Sequence, residues 1–299
     1  MRKPLFPDFE EHKVQTRNAE IFVRKGGQGP ALILLHGFPQ THACWHAIAP
    51  QLARHFTVYL PDLRGYGLSS CPASDPRHMA YSKRAMAQDI IDVADHFGVS
   101  DFHLGGHDRG GRVAYRLAFD HAARVRQLAV LDIVPTHTVW HDFTVKLAMK
   151  TYHWLFLAQP APFPENMIFS SGNGFIDHTL ASWTMGNDLS VFDTEALEEY
   201  RSYFSRPEYI HANCEDYRAG QTCDLATDEK DFDAGNKIAC PLLVLWGESG
   251  IAAKGASPLD VWKLWAEDVR GESFECGHFL AEEKPDETAR ALLDYFLND

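Results

Sequence analysis

The chain has 299 residues, 45% of them hydrophobic, with 28 basic and 41 acidic side chains and a formal net charge of −13. That length buries a full core in one large domain, or in a domain carrying an insertion. The acidic balance argues against nucleic acid or an anionic membrane as partner, and any anionic substrate needs cations supplied locally at its site.

The N-terminus, MRKPLFPDFEEHKVQ, carries two early cations and no apolar stretch, so no secretory leader is expected. No segment approaches the roughly 20 apolar residues of a membrane helix. The six cysteines form no C-x-x-C pair and read as reduced thiols. These features predict a cytoplasmic protein.

β-rich runs are predicted at 20–24, 31–35, 57–60, 102–104, 125–131, 242–246 and 273–275. Most are continuous apolar runs, as expected of strands buried on both faces. Helical patterns at 83–97 and 112–119 fall between them, so the fold class is α/β, with a mostly parallel central sheet flanked by helices. The strand rhythm stops after about His137, where Trp140, Trp154, Phe156, Phe163, Trp183, Tyr200 and Tyr217 accumulate, and resumes at Pro241. The expected organisation is a core of 1–136 and 228–299 with a helical cap, 137–227, inserted into it.

The candidate chemistry begins at Gly106-His107-Asp108-Arg109-Gly110, which follows a predicted strand and opens a predicted helix. It has the G-x-Nu-x-G form of a nucleophile elbow with aspartate in the nucleophile's place. Glycines on both sides permit the tight turn, and the helix N-terminus favours an anion. A dinucleotide-binding fingerprint fails here, because His107 stands where its middle glycine belongs. Serine attacking a saturated carbon would form a dead-end ether, whereas a carboxylate forms an ester that water can cleave. Asp108 therefore suits displacement of halide or of an epoxide oxygen. The plainer reading of Asp108 is a helix N-cap.

His278, in Gly277-His278-Phe279 just after the last predicted strand, has the chain order of the base in this fold. Its orienting acid has two candidates. The loop after the penultimate strand reads Gly247-Glu248-Ser249-Gly250, without the aspartate often found there. Asp132 ends the strand 125–131 and is preferred to Glu248, because carboxyl ends of strands face the site in open α/β sheets. The backbone N–H groups of Phe38, in His36-Gly37-Phe38-Pro39, and of Arg109 are the expected oxyanion donors.

Arg109 and Arg112 form an i, i+3 pair after the nucleophile, and two guanidinium groups can clamp a carboxylate. His153, Trp154 and Tyr217 each carry a donor on a rigid ring and are candidates to hold a departing halide, although aromatics in a cap often serve packing alone. The pairs His42/His46 and His137/His141 lack the H-E-x-x-H form, and no metal or other cofactor is expected.

Together these residues resemble the fluoroacetate dehalogenases of the α/β-hydrolase superfamily, over essentially the whole chain. The loops 36–39 and 62–69 are shared widely in that superfamily, whereas Asp108-Arg109 with Arg112 and the Tyr152-His153-Trp154 run are more specific. The resemblance implies nucleophile Asp108, base His278 and acid Asp132. It implies Arg109 and Arg112 on the carboxylate of a small haloacid, and His153, Trp154 and Tyr217 on the halide. Trp183 aligns with a tryptophan that lines the pocket in this family. Family members are commonly homodimers. The rivals are an epoxide hydrolase, a haloalkane dehalogenase and a non-catalytic binding protein. Both rival enzymes usually place tryptophan where Arg109 stands, and an intact Asp108, Asp132 and His278 set argues for catalysis.

Overall fold

A computed structural model describes residues 4–252 and 256–298. Its single eight-stranded sheet comprises β1 (Glu10–Gln15), β2 (Glu20–Gly26), β3 (Ala31–Leu35), β4 (Thr57–Pro61), β5 (Phe102–His107), β6 (Val125–Leu131), β7 (Leu242–Gly247) and β8 (Val269–Phe274). The spatial order is β1-β2-β4-β3-β5-β6-β7-β8. The β1–β2 and β2–β4 pairs are antiparallel and every other pair is parallel.

Every residue of β5 is buried, and Leu32–Leu35 and Leu128–Leu131 are fully enclosed. Each such leucine, isoleucine or valine contributes about 1.5–3 kcal/mol through burial. The helices Lys83–His96 and Asp108–Asp120 pack against each other beside the sheet. The second begins four residues before the expected 112, because its first turn holds Asp108 and two glycines in place of an apolar stripe.

Two strands depart from expectation. β1 reads EEHKVQ with only Val14 buried, so it lies at the sheet edge without an apolar signature. β8 reads VRGESF, with no residue fully buried, and spans 269–274 where 273–275 was expected. Both are edge strands, whose outer sides do not require apolar residues.

Register places the chemistry. Leu35 pairs with Gly106, His107 with Leu131, Leu131 with Leu245, and Gly247 with Phe274. The carboxyl ends of β3, β5, β6, β7 and β8 therefore finish along one edge of the sheet. The segments that follow them carry Phe38, Asp108, Asp132, the 248–252 loop and His278.

Between β6 and β7 the chain forms a run of helices from Thr136–His141 to Cys223–Asp233. Their buried faces follow helical spacing, as with Ala196, Leu197, Tyr200 and Phe204 on Thr194–Phe204, which Asp193 caps by accepting from the Glu195 N–H. The last helix of the run crosses the expected boundary at 227/228. Asp228 on that helix accepts from Tyr115 Oη at 2.6 Å and from the His137 N–H at 3.2 Å, joining it to the sheet domain.

Candidate active site

Asp108 sits at φ +45°, a conformation that L residues adopt only when their surroundings impose it. The surroundings are close. A Cβ at Gly110 would lie 2.3 Å from the His36 carbonyl oxygen, and one at Gly106 would lie 2.5 Å from the Gly110 carbonyl oxygen. Only glycine lets β5 turn this sharply against the β3 loop. The Phe38 N–H donates to Asp108 Oδ2 at 2.9 Å. The Arg109 N–H lies in the first turn of the helix, where amides have no intrahelical acceptor. Burial works against the Asp108 carboxylate, but His278, His107, Arg109 and Arg112 more than offset it and hold its pKa below the usual value.

Asp132 is also held at positive φ, +50°. Its Oδ2 lies 2.5 Å from His278 Nδ1 and accepts from the Ile251 N–H at 2.8 Å, while Oδ1 accepts from the Gly247 N–H at 3.2 Å. Glu248 turns away, with the Ser273 hydroxyl donating to it at 3.2 Å near the surface. Asp132, and not Glu248, therefore contacts His278. With Nδ1 engaged, His278 Nε2 is left buried with no protein partner. The His278 ring lies 4.4 Å from that of His107, whose Nε2 donates to the His278 carbonyl at 2.8 Å. Burial and His278 push His107 down to about 3, so it stays neutral.

The two arginines are not equivalent. Arg109 is fully buried and already paired: its Nε donates to Asp216 Oδ2 at 3.0 Å and one Nη to Asp216 Oδ1 at 2.6 Å and to the Asp216 carbonyl at 2.7 Å. Lys83 also pairs with Asp216, and Tyr66 Oη donates to it at 2.7 Å. Burial opposes the Asp216 charge, but Arg109 and Lys83 hold its pKa well below the carboxylate range. Arg109 keeps one buried nitrogen, Nη1, without a partner.

Arg112 donates to the Val134 carbonyl at 3.1 Å and to the Thr136 hydroxyl at 3.0 Å. Among the described residues it forms no ion pair, its Nε has no partner, and burial lowers its pKa. A buried guanidinium with no carboxylate bonded to it is costly unless an anion arrives.

The insert contributes a ring cluster. His153 stacks parallel to Phe38 at 6.0 Å and lies 4.5 Å from Trp183 and 5.5 Å from Tyr217. Arg109 lies over Tyr217 at 4.2 Å and Arg112 over Trp154 at 4.5 Å. His153 Nδ1 and Tyr217 Oη are buried without partners. Burial pushes His153 down to about 3 and Tyr217 far up, so both are neutral and Tyr217 keeps its proton. Trp183 also meets the His278 ring at 5.3 Å.

Buried polar atoms are nearly always satisfied. Here His278 Nε2, Arg109 Nη1, Arg112 Nε, His153 Nδ1 and Tyr217 Oη are among the buried atoms that are not, and each of these five residues interacts electrostatically with Asp108. The cavity opening on Asp108, Arg112, Asp132, Trp154 and His278 measures about 50 Å³. A water needs roughly 10–15 Å³ on that measure, so the space suits a ligand of a few heavy atoms. Sequence reasoning missed Asp216, Lys83 and Tyr66. No motif or periodicity in the chain marked them, although Asp216 adjoins the singled-out Tyr217.

Fold and site define an α/β hydrolase with a buried Asp–His–Asp set, and the model of the alpha/beta hydrolase fold family matches residues 30–285. A fluoroacetate dehalogenase from Burkholderia sp is 43% identical, over 99% of this chain and 96% of its own length. A soluble epoxide hydrolase from Corynebacterium sp. (strain C12) is 31% identical, over 97% of this chain and 98% of its own. A solved structure of an α/β hydrolase from Nostoc sp PCC 7120 superimposes with a TM-score of 0.95 at 49% identity, covering 98% of this chain and 100% of that one. The chain belongs to the fluoroacetate dehalogenase family of the α/β-hydrolase superfamily, a family of enzymes acting on carbon–halogen bonds.

Proposed function

We propose that the protein hydrolyses a small 2-haloacid, a haloacetate including fluoroacetate, to glycolate and halide. The observation that carries the reading is Arg112, a buried guanidinium without a carboxylate, on the same small cavity as Asp108. It supplies the local cation that an anionic substrate needs in a chain of charge −13.

Arg112 takes the substrate carboxylate, assisted by Arg109 Nη1. Asp108 Oδ1, the oxygen not held by Phe38, attacks the α-carbon in line. The carbon–halogen bond breaks, halide leaves with the bonding pair, and an ester joins Asp108 to the acid. Departing halide is met by Tyr217 Oη, by an imidazole N–H of His153 and by the indole of Trp154, with Trp183 closing the wall. His278 Nε2 then takes a proton from water, and the hydroxide adds to the Asp108 ester carbonyl. The Phe38 and Arg109 N–H groups hold the oxyanion. Collapse expels glycolate, which recovers the proton from His278, and one solvent oxygen remains in Asp108.

The helical insert acts as a cap over the core of 1–136 and 228–299. Val145, Met149, Phe163, Met167 and Phe169 stand exposed on its helices, apolar surface that supports a homodimer. The absence of a helix long and apolar enough to cross a membrane, among the described residues, is compatible with a cytoplasmic enzyme.

The relatives named epoxide hydrolases keep a second reading open, with Tyr217 Oη protonating an epoxide oxygen. One experiment separates the two. The protein is given fluoroacetate, chloroacetate or a small epoxide in ¹⁸O-water under single-turnover conditions. Halide and glycolate release, with label in Asp108, supports the haloacid reading. Diol formation without turnover of either haloacetate overturns it.

A further inference from the structure

Glu283 ends the short helix Leu280–Glu283 that follows the proposed base. Its carboxylate accepts three backbone N–H groups: Gly277 at 2.9 Å and Met185 at 2.9 Å on Oε2, and Phe279 at 3.0 Å on Oε1. Gly277 and Phe279 flank His278. Met185 lies in the insert two residues after Trp183, whose carbonyl accepts the His278 N–H at 2.8 Å. One carboxylate thus ties both neighbours of the base to each other and to the insert, and the base's own amide is bonded to the insert as well.

The loop has no slack in which to settle elsewhere. A Cβ at Gly277 would lie 2.4 Å from the Trp183 carbonyl oxygen and 2.6 Å from the Met185 nitrogen, and one at Gly247 would lie 1.8 Å from the Gly277 carbonyl oxygen. Three amides converge on one point in this slot. A charged acceptor there forms stronger bonds than a neutral one. An acceptor lost from it leaves amides unpaired.

We infer that Glu283 is a positioning residue for the ester-hydrolysis half of the reaction, holding the His278 loop against the insert so that Nε2 faces the Asp108 ester. The inference rests on the haloacid reading above. It predicts a step-selective defect, because displacement of halide uses Asp108, the arginines and the ring donors, none of which bonds to Glu283. Only the hydrolytic step uses His278.

The test is Glu283→Gln. The amide keeps the side chain's length and one acceptor oxygen but turns an NH₂ group toward an N–H donor. Rapid-quench turnover of chloroacetate reads halide and glycolate separately, and intact mass reads the ester on Asp108. The expected result is a first-turnover halide burst at near wild-type rate, followed by accumulated ester and a steady-state rate about 10–100-fold lower, the scale of a misplaced catalytic group. The burst itself reports a folded site. An unchanged steady state overturns the inference. Burst and steady state falling in equal proportion, with a lowered Tm, also overturns it, because Glu283 would then serve folding alone. Absence of any halide or glycolate release by the wild-type chain would overturn the haloacid reading and this inference with it.

Discussion

Replacing Asp132 with asparagine tests the centre of the proposed mechanism while leaving the backbone alone. Position 132 is held at φ +50°, a region that asparagine adopts more readily than most residues, so the turn after β6 survives. The electrostatics do not. In the native site one carboxylate accepts from His278 Nδ1, the Ile251 N–H and the Gly247 N–H. Asparagine offers one acceptor oxygen, so its NH₂ faces the Gly247 N–H if it takes the Oδ1 place, or both the Ile251 N–H and His278 Nδ1 if it takes the Oδ2 place. In the second arrangement the oxygen keeps only the Gly247 N–H and the NH₂ donates to His278 Nδ1. It then forces the tautomer with its proton on Nε2, which cannot take a proton from water. The analogous asparagine substitution in a serine protease triad lowers turnover about 10⁴-fold through the wrong tautomer, and a loss of about 10³–10⁴ in ester hydrolysis is expected here. Weakening charge-assisted bonds to two backbone amides costs about 1–3 kcal/mol, a Tm loss of a few degrees in a chain of this size. Rapid-quench kinetics with chloroacetate should show an intact halide burst, stalled glycolate release and ester accumulating on Asp108. Glu248→Gln should turn over normally. A normal steady state in Asp132→Asn, or a comparable defect in Glu248→Gln, would refute the assignment of Asp132 as the orienting acid.

Arg112→Met should raise KM for haloacetate about 100-fold or more with only a small loss of Tm, because the buried cation has no bonded carboxylate and gives up only the Val134 carbonyl and the Thr136 hydroxyl. Arg109→Met should instead destabilise the fold by about 1–3 kcal/mol, since it removes the guanidinium bonds to Asp216 and leaves that carboxylate to Lys83 and Tyr66; equal Tm losses in the two variants, by differential scanning fluorimetry, would contradict the asymmetry. Tyr217→Phe removes a hydroxyl with no protein partner, so Tm should hold while fluoroacetate turnover falls about tenfold more than chloroacetate turnover; an equal effect on both would remove Tyr217 from the leaving-group site. Burial pushes Glu282 up to about 8, with Glu283 and Asp193 adding to it and the bonds from Tyr200 and Gln40 opposing it. A raised folded-state pKa stabilises fully below the unfolded value of 4.5, and that stability is lost as pH rises through about 8. Melts of Glu282→Gln and wild type should therefore diverge between about pH 4.5 and 8, the wild type falling faster, and parallel curves across that window would exclude the ionisation.

The legible parts of the sequence were those in which a single local constraint acts. Buried parallel strands must be apolar throughout, so β3, β5, β6 and β7 announced themselves, and the glycine frame around Asp108 marked the elbow. Edge strands carry no such requirement, and β1 and β8 were missed or displaced accordingly. The preference for Asp132 over Glu248 came from strand-end geometry, and the contact with His278 follows from the register of β6 against β7. Asp216 was not legible. It lies 107 residues from Arg109 and meets it only because the helix Pro207–Gln221 folds over the elbow. Long-range pairing of this kind leaves no periodicity in the chain. As a result the two arginines, alike in sequence, read as one clamp.

Their inequality bears on how the proposed cycle can end. Asp216 and Asp224 together offset Arg109 and Lys83, Asp224 lying 3.8 Å from Lys83, so the cation on the cavity without a bonded carboxylate is Arg112, and the proposed cycle matches it to one substrate carboxylate. During displacement the negative charge of Asp108 passes to the halide as the ester forms, and the ring donors that would meet the halide carry no net charge. His153 is pushed down to about 3 by burial and Tyr217 keeps its proton, so both offer dipoles. Dipoles aimed at a site where charge develops favour the transition state over the uncharged C–halogen bond. A full cation there would also hold the free halide after the chemistry and slow its release. In the proposed cycle, burial of His153 against Phe38, Trp183 and Tyr217 would therefore serve turnover in two ways, excluding water from a departing halide and keeping the imidazole neutral enough to let it go.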